Sequence, residues 1–175
     1  MDIEAFLRQN EIDYQKVEHP PVYTCEEAQR LAPPLPGAHT KNLFLRDAKG
    51  RRHVLVVVGW DKQVDLKALA GVLEMSKLGM ASAQRLQQHL GVEPGAVTLL
   101  ALANDTEQRV EVVVDTPLWQ AAALQCHPLV NTATLSIAHD GIERFLERTG
   151  HPVRVVEIPS RDNASRDNAS RPNGP

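Results

Sequence analysis

Residues 41–58 read KNLFLRDAKGRRHVLVVV. Two apolar runs, Lys41–Arg46 and Arg52–Val58, flank Asp47-Ala48-Lys49-Gly50, whose Asp and Gly are turn formers. Together they form a β-hairpin signature. Upstream, Ile3, Phe6 and Leu7 share one face of a first helix with Asp2 as its candidate cap, and a short strand at Tyr14–Glu18 runs into His19-Pro20-Pro21. Thr24-x-x-Glu27 is a capping box that opens a helix to about Leu31, and Pro33, Pro34, Pro36 and Gly37 make a rigid loop before the hairpin. Downstream, Asp65 caps Leu66–Leu73, a brief strand lies near Leu78–Ala81, and the Ser82–Leu90 helix ends at Gly91. Strands are expected at Val97–Ala103, Arg109–Val114, Thr132–Ile137 and Val153–Ile158. Helices are expected at Leu118–Leu124 and at Asp140–Arg148, the latter ended by Gly150. Helices and strands thus alternate irregularly, which predicts a mixed α/β fold with helices around a sheet rather than a doubly wound parallel one.

The chain has 175 residues, 42% hydrophobic and 23% charged, with a net charge of −3. That length suits one domain, expected over residues 1–159. Residues 160–175, SRDNASRDNASRPNGP, hold no apolar side chain larger than Ala and are expected to be a disordered polar tail. Three Arg and two Asp make this tail +1 and leave the body at −4, a poor sign for a non-specific polyanion binder. A DNA partner is not expected, and any nucleic-acid contact must come from a local patch. Arg46, Lys49, Arg51 and Arg52 are the densest basic cluster, either a phosphate-tracking patch or a solvated hairpin tip.

No apolar run approaches the roughly 18 residues of a membrane span, and the acidic, amphipathic N-terminus is unlike a secretory signal. With only 2 cysteines, the sequence predicts a cytoplasmic protein without a disulfide framework. No GxGxxG or P-loop is present and the histidines lack metal-ligand spacing, so neither a cofactor nor a metal is expected.

Single residues carry the chemistry. Lys41 follows a Pro/Gly loop and begins an apolar strand, where it can hold a phosphate or polarise a carbonyl, and Asn42 beside it offers amide donors. Gly91-Val92-Glu93-Pro94-Gly95-Ala96-Val97-Thr98 is either a plain helix end or a turn whose N–H groups meet an oxyanion. Cys126 and His127 are neighbours in an extended segment and therefore point apart, which argues against a Cys–His dyad. Cys25 sits in a helical first turn without a companion base.

Taken in order, HPPVYTCEEA (19–28), PGAHTKNLFLRD (36–47), GVEPGAVT (91–98), Asn104-Asp105 and HPLVNTAT (127–134) resemble the YbaK/prolyl-tRNA synthetase editing-domain family of aminoacyl-tRNA deacylases. Within it the chain is most similar to the freestanding PrdX/ProXp-ala branch, which removes alanine from mischarged tRNA(Pro). The resemblance implies a mostly antiparallel, barrel-like central sheet surrounded by helices. It also implies a trans-editing ester hydrolase without metal or cofactor, which borrows a ribose hydroxyl of the terminal adenosine. Its partner would be the acceptor end of tRNA(Pro), with prolyl-tRNA synthetase a candidate second partner. Lys41, Gly95 and His127 fall on the family's catalytic positions. His19, Tyr23, Thr24, Asn42, Phe44, Ala96, Val97, Thr98 and Asn131 fall on substrate-binding ones. Leu99 stands where the family's loop has proline, and Gly79-Met80 and Cys126 replace larger residues. These departures keep two alternatives open: a deacylase of Cys-tRNA(Pro) or another small aminoacyl-tRNA, and a silent tRNA- or synthetase-binding module.

Overall fold

The structure is a computed structural model that describes residues 1–161; the tail expected beyond Arg161 lies outside the described residues. The hairpin forms as read: β2 (Thr40–Arg46) pairs antiparallel with β3 (His53–Gly59), Lys41 opposite Val58 and Arg46 opposite His53. Around it stand β1 (Gln15–Glu18), β4 (Gly79–Met80), β5 (Val110–Asp115), β6 (Ala123–Cys126), β7 (Ala133–Ala138) and β8 (Val153–Val156). The helices are α1 (Ile3–Gln9), α2 (Cys25–Leu31), α3 (Leu66–Val72), α4 (Ala83–Leu90), α5 (Thr116–Trp119) and α6 (His139–Thr149).

The strands form two open sheets rather than one barrel-like sheet. One is antiparallel with order β1-β7-β6. The other, β4-β2-β3-β5-β8, is antiparallel on the hairpin side and parallel from β3 to β8. β3 lies at its centre and is buried on both faces, which is why HVLVVV runs without polar alternation. Leu55 and Val57 enter the core shared with α1, α4 and α6, while Val54, Val56 and Val58 enter a second core under α3.

Two expected elements are replaced. The apolar run Val97–Ala103 is not a strand: short 3-10 helices cover Pro94–Ala96 and Leu99–Asn104. From Leu99 to Ala103 the run holds only Leu and Ala and no β-branched residue, and a short buried apolar run carries no periodicity that separates strand from helix. Leu99 is buried, and the Thr98 hydroxyl caps the turn by accepting from the Leu100 N–H at 3.3 Å. The expected helix Leu118–Leu124 is only α5, and the chain then enters β6, which pairs with β7 from Ala123 opposite Ala138 to Cys126 opposite Leu135. At the C-terminus two residues of the expected tail are tied to the body, since Ser160 bridges Val64 and the Arg161 N–H donates to the Gln63 carbonyl.

Candidate active site

The start of β2, the end of β6, the 94–97 turn and the segment just before α2 enclose a cleft of about 190 Å³. Each wall has a local cause. Ala38 bridges Leu124 and the Thr40 hydroxyl donates to the Gln125 carbonyl at 2.6 Å, which docks β2 on β6. Gln125 Nε2 donates to the Leu35 carbonyl at 2.7 Å and so ties the proline loop to the same wall. Opposite, Asn131 Nδ2 donates to the Val22 carbonyl at 3.2 Å, and the Val22 N–H returns to the Asn131 carbonyl. Gly95 lies against this clasp. A Cβ there would come 3.5 Å from both Asn131 Nδ2 and the Tyr23 ring, an ordinary contact distance, so the turn packs on this clasp without needing glycine for space. The capping box forms, with the Glu27 N–H donating to Thr24 Oγ1 at 3.1 Å and the Glu27 carboxylate accepting from the Tyr23 N–H.

His127 is half-buried at the end of β6. Its Nδ1 stands 3.0 Å from the Ala133 carbonyl. A carbonyl only accepts, so Nδ1 carries the proton and the neutral ring presents the Nε2 lone pair. Burial pushes the His127 pKa below its ordinary value, with His19 adding to the shift and the Ala133 carbonyl opposing it. The same logic fixes His19. Its Nδ1 donates to the Pro20 carbonyl at 2.9 Å, so Nε2 accepts from the Thr134 hydroxyl at 2.8 Å. Burial drives the Cys126 thiol up to about 12, so it is inert as a nucleophile. The Cys25 side chain lies outside the described residues.

Lys41 has its ammonium engaged. It donates to the Lys62 carbonyl, in the turn after β3. Lys62 is itself held by Asp115 and the Ile158 carbonyl, each at 2.7 Å. Asn42 faces the opposite way along the strand, on the side of Thr40 and Phe44.

Of the residues expected to bind or react, Lys41, Asn42, Tyr23, Thr24, Gly95, Val97 and His127 line the cleft. His19 supports it from behind through Thr134, and Asn131 through Val22. Ala96 and Thr98 are buried under the turn. Phe44 lies farther along β2, stacked on His53 with ring centroids 5.6 Å apart. Trp60, His39 and Gln125 also line the cleft and were not singled out from sequence. Trp60 follows β3 directly, and its N–H donates to the His39 carbonyl across the open end of the hairpin. A lone Trp after a strand carries no sequence signal for this.

The basic cluster sits at the other end of the hairpin. Five residues separate Lys41 from Arg46, roughly 17 Å of strand. Arg52 makes a two-pronged bond to Glu111 at 2.7 and 2.9 Å, and Arg46 donates to the Asp47 carbonyl. Lys49 and Arg51 are exposed. Among the described residues, no three His, Cys, Asp or Glu side chains gather to hold a metal ion.

Comparison with known proteins places these features in context. The aminoacyl-tRNA editing domain family matches residues 19–145. The chain is 38% identical over 154 residues to the prolyl-tRNA editing protein ProX of Acetoanaerobium sticklandii, covering 88% of this chain and 94% of that protein. It is 40% identical over 152 residues to the prolyl-tRNA synthetase associated domain-containing protein 1 of Danio rerio, covering 86% and 82%. Among solved structures, one described as a candidate trans-editing enzyme for prolyl-tRNA synthetase superposes with a TM-score of 0.64 at 15% identity, covering 90% of this chain and 96% of that one. A scaffold used for epitope grafting superposes with a TM-score of 0.69 at 18% identity, covering 91% and 95%.

Proposed function

The chain belongs to the aminoacyl-tRNA editing domain family, and on that premise we propose that it is a trans-editing hydrolase of mischarged tRNA(Pro), with Ala-tRNA(Pro) its substrate and the cytoplasm its place of work. The observation that carries the proposal is the cleft itself. It is small, holds a neutral His127 with a free Nε2, and the one cysteine in its described lining, Cys126, is held as an inert thiol. Alanine is smaller than proline, so a synthetic site shaped for proline cannot exclude it sterically. A second, hydrolytic site that admits only small groups is the remedy.

Hydrolysis needs a water oriented on the ester carbonyl and a place for the negative charge that develops on its oxygen. His127 Nε2 accepts a proton from the attacking water, directly or through the vicinal ribose hydroxyl. As the tetrahedral intermediate collapses, the bond from the carbonyl carbon to the ribose oxygen breaks and that oxygen takes the proton. The products are free alanine and uncharged tRNA. Of the 94–97 turn, Pro94 has no N–H and the Ala96 N–H is spent on the Glu93 carbonyl, so the Gly95 N–H is the donor the turn offers the developing oxyanion. Lys41 leaves the Lys62 carbonyl to meet either that charge or the terminal phosphate. Trp60 and Tyr23 offer π faces to the terminal base at the mouth.

A panel of Ala-, Cys- and Pro-tRNA(Pro) tests this reading. Rapid loss of alanine, with proline retained and a drop of at least about tenfold in Lys41→Ala, is expected. A clear preference for cysteine would move the substrate. Binding of tRNA without hydrolysis of any ester would sink the enzymatic reading, and alanine loss unchanged in Lys41→Ala would sink the role of Lys41.

A further inference from the structure

Among the described residues, one buried side-chain polar atom has no hydrogen-bond partner, the Oδ1 of Asn42, and it sits in a wall of the cleft. A buried acceptor left unmet is costly, so such an atom calls for an explanation. The polar groups around it are committed. The Thr40 hydroxyl is given to the Gln125 carbonyl, the Gln125 amide to the Leu35 and Gly37 carbonyls, and the Thr134 hydroxyl to His19. None of these groups donates to Asn42, whose Oδ1 is left to a donor from outside the protein.

We infer that Asn42 Oδ1 is the acceptor for the α-amino group of the aminoacyl ester, which makes Asn42 the residue that distinguishes an amino acid from a plain acyl group. This rests on the deacylase reading given above. Three features argue for the amino group. An acceptor can be satisfied only by a donor, which excludes the ester oxygens and the phosphates. Asn42 stands in the cleft wall, where the leading group of the acceptor end arrives, and an alanyl group has one donor, its amine. Finally, the residues lining the cleft include no carboxylate, so a neutral amide oxygen is what the site has to offer an amine.

The experiment compares Ala-tRNA(Pro) with propionyl-tRNA(Pro), which keeps the carbon skeleton and replaces the amino group by hydrogen. Single-turnover rates are divided by the spontaneous hydrolysis rate of each ester. For the wild-type protein the corrected rate on the propionyl ester should be roughly 10- to 100-fold lower, because the amide stays unpaired. In Asn42→Ala the two corrected rates should fall within about threefold of each other. Equal corrected rates in the wild type would overturn the inference without needing any variant. An equal loss on both esters in Asn42→Ala would also overturn it, since that would assign the oxygen to a ribose hydroxyl. Hydrolysis of neither ester by the wild type would overturn the deacylase reading, and this inference with it.

Discussion

His127 shows how one hydrogen bond sets a residue's chemistry. Because Nδ1 is spent on the Ala133 carbonyl, Nε2 works only as an acceptor while the ring is neutral, and protonation turns it into a donor. Burial lowers the pKa, so the neutral form survives below the ordinary value of 6.5. Deacylation of Ala-tRNA(Pro) should therefore hold steady from pH 8 down past 6.5 and fall only below that, with an acid limb of unit slope that disappears in His127→Ala. A limb centred above 6.5 would contradict the assignment. His53 carries the same sign into stability. Burial lowers its pKa to about 4, with His89, at 4.1 Å between ring centroids, and Arg85 adding to the shift. The unfolded chain takes up this proton near 6.5 and the folded chain only near 4. The stabilising contribution is thus complete above 6.5 and lost as pH drops through that window. Urea midpoints measured from pH 7.5 to 4.5 should decline, and the decline should be shallower in His53→Gln.

At the level of elements, the hairpin, the caps at Asp2 and Asp65, and the left-handed stops at Gly91 and Gly150 were legible because each rests on chemistry local in sequence. The 99–104 turn and β6 were not. Leu99–Ala103 owes its shape to complete burial between α4, α6 and the sheets, and β6 owes its to pairing with β7. Neither influence is local. The site divides the same way. Lys41, Gly95 and His127 stand in motifs, whereas Trp60 reaches the cleft only because the hairpin's open end closes around it. Asn104-Asp105 reads as a motif of the family but serves as a brace. Asn104 Nδ2 donates to the Leu90 carbonyl at 2.8 Å, ending α4. Asp105 accepts from the Arg109 and Val110 N–H groups and from His151 at 2.8 Å, where both side chains are buried. Removing this acceptor strands three donors. Asp105→Ala should cost about 3 kcal/mol in urea unfolding, while the intrinsic deacylation rate at low temperature stays near wild type. A selective loss of rate with stability intact would place Asp105 in the chemistry instead.

Across the whole molecule, the question is how a body of net charge −4 holds a polyanion at all. The hairpin answers it by geometry: β2 has Lys41 at the cleft and the basic tip at its far end, roughly 17 Å away. An acceptor stem entering by its terminal adenosine therefore meets the tip, if anywhere, with its duplex rather than its end. Five cations gather at that tip, but Glu111 neutralises Arg52, Arg46 is turned onto the Asp47 carbonyl and Arg85 onto the Gly50 carbonyl. That leaves Lys49 and Arg51 as the exposed charges available to phosphates, and hence a weak grip, which suits an enzyme that must release each tRNA after inspection. The double variant Lys49→Glu/Arg51→Glu should raise KM for full-length Ala-tRNA(Pro) several-fold. It should also flatten the dependence of KM on salt by about two phosphate contacts. Hydrolysis of an alanyl ester on a short CCA fragment, which cannot span from cleft to tip, should be unchanged by the same variant. If the fragment and the full tRNA lose equally, the tip acts through the fold of the hairpin. If neither loses, the acceptor stem leaves the cleft in another direction, and the basic tip is only the solvated end of a hairpin.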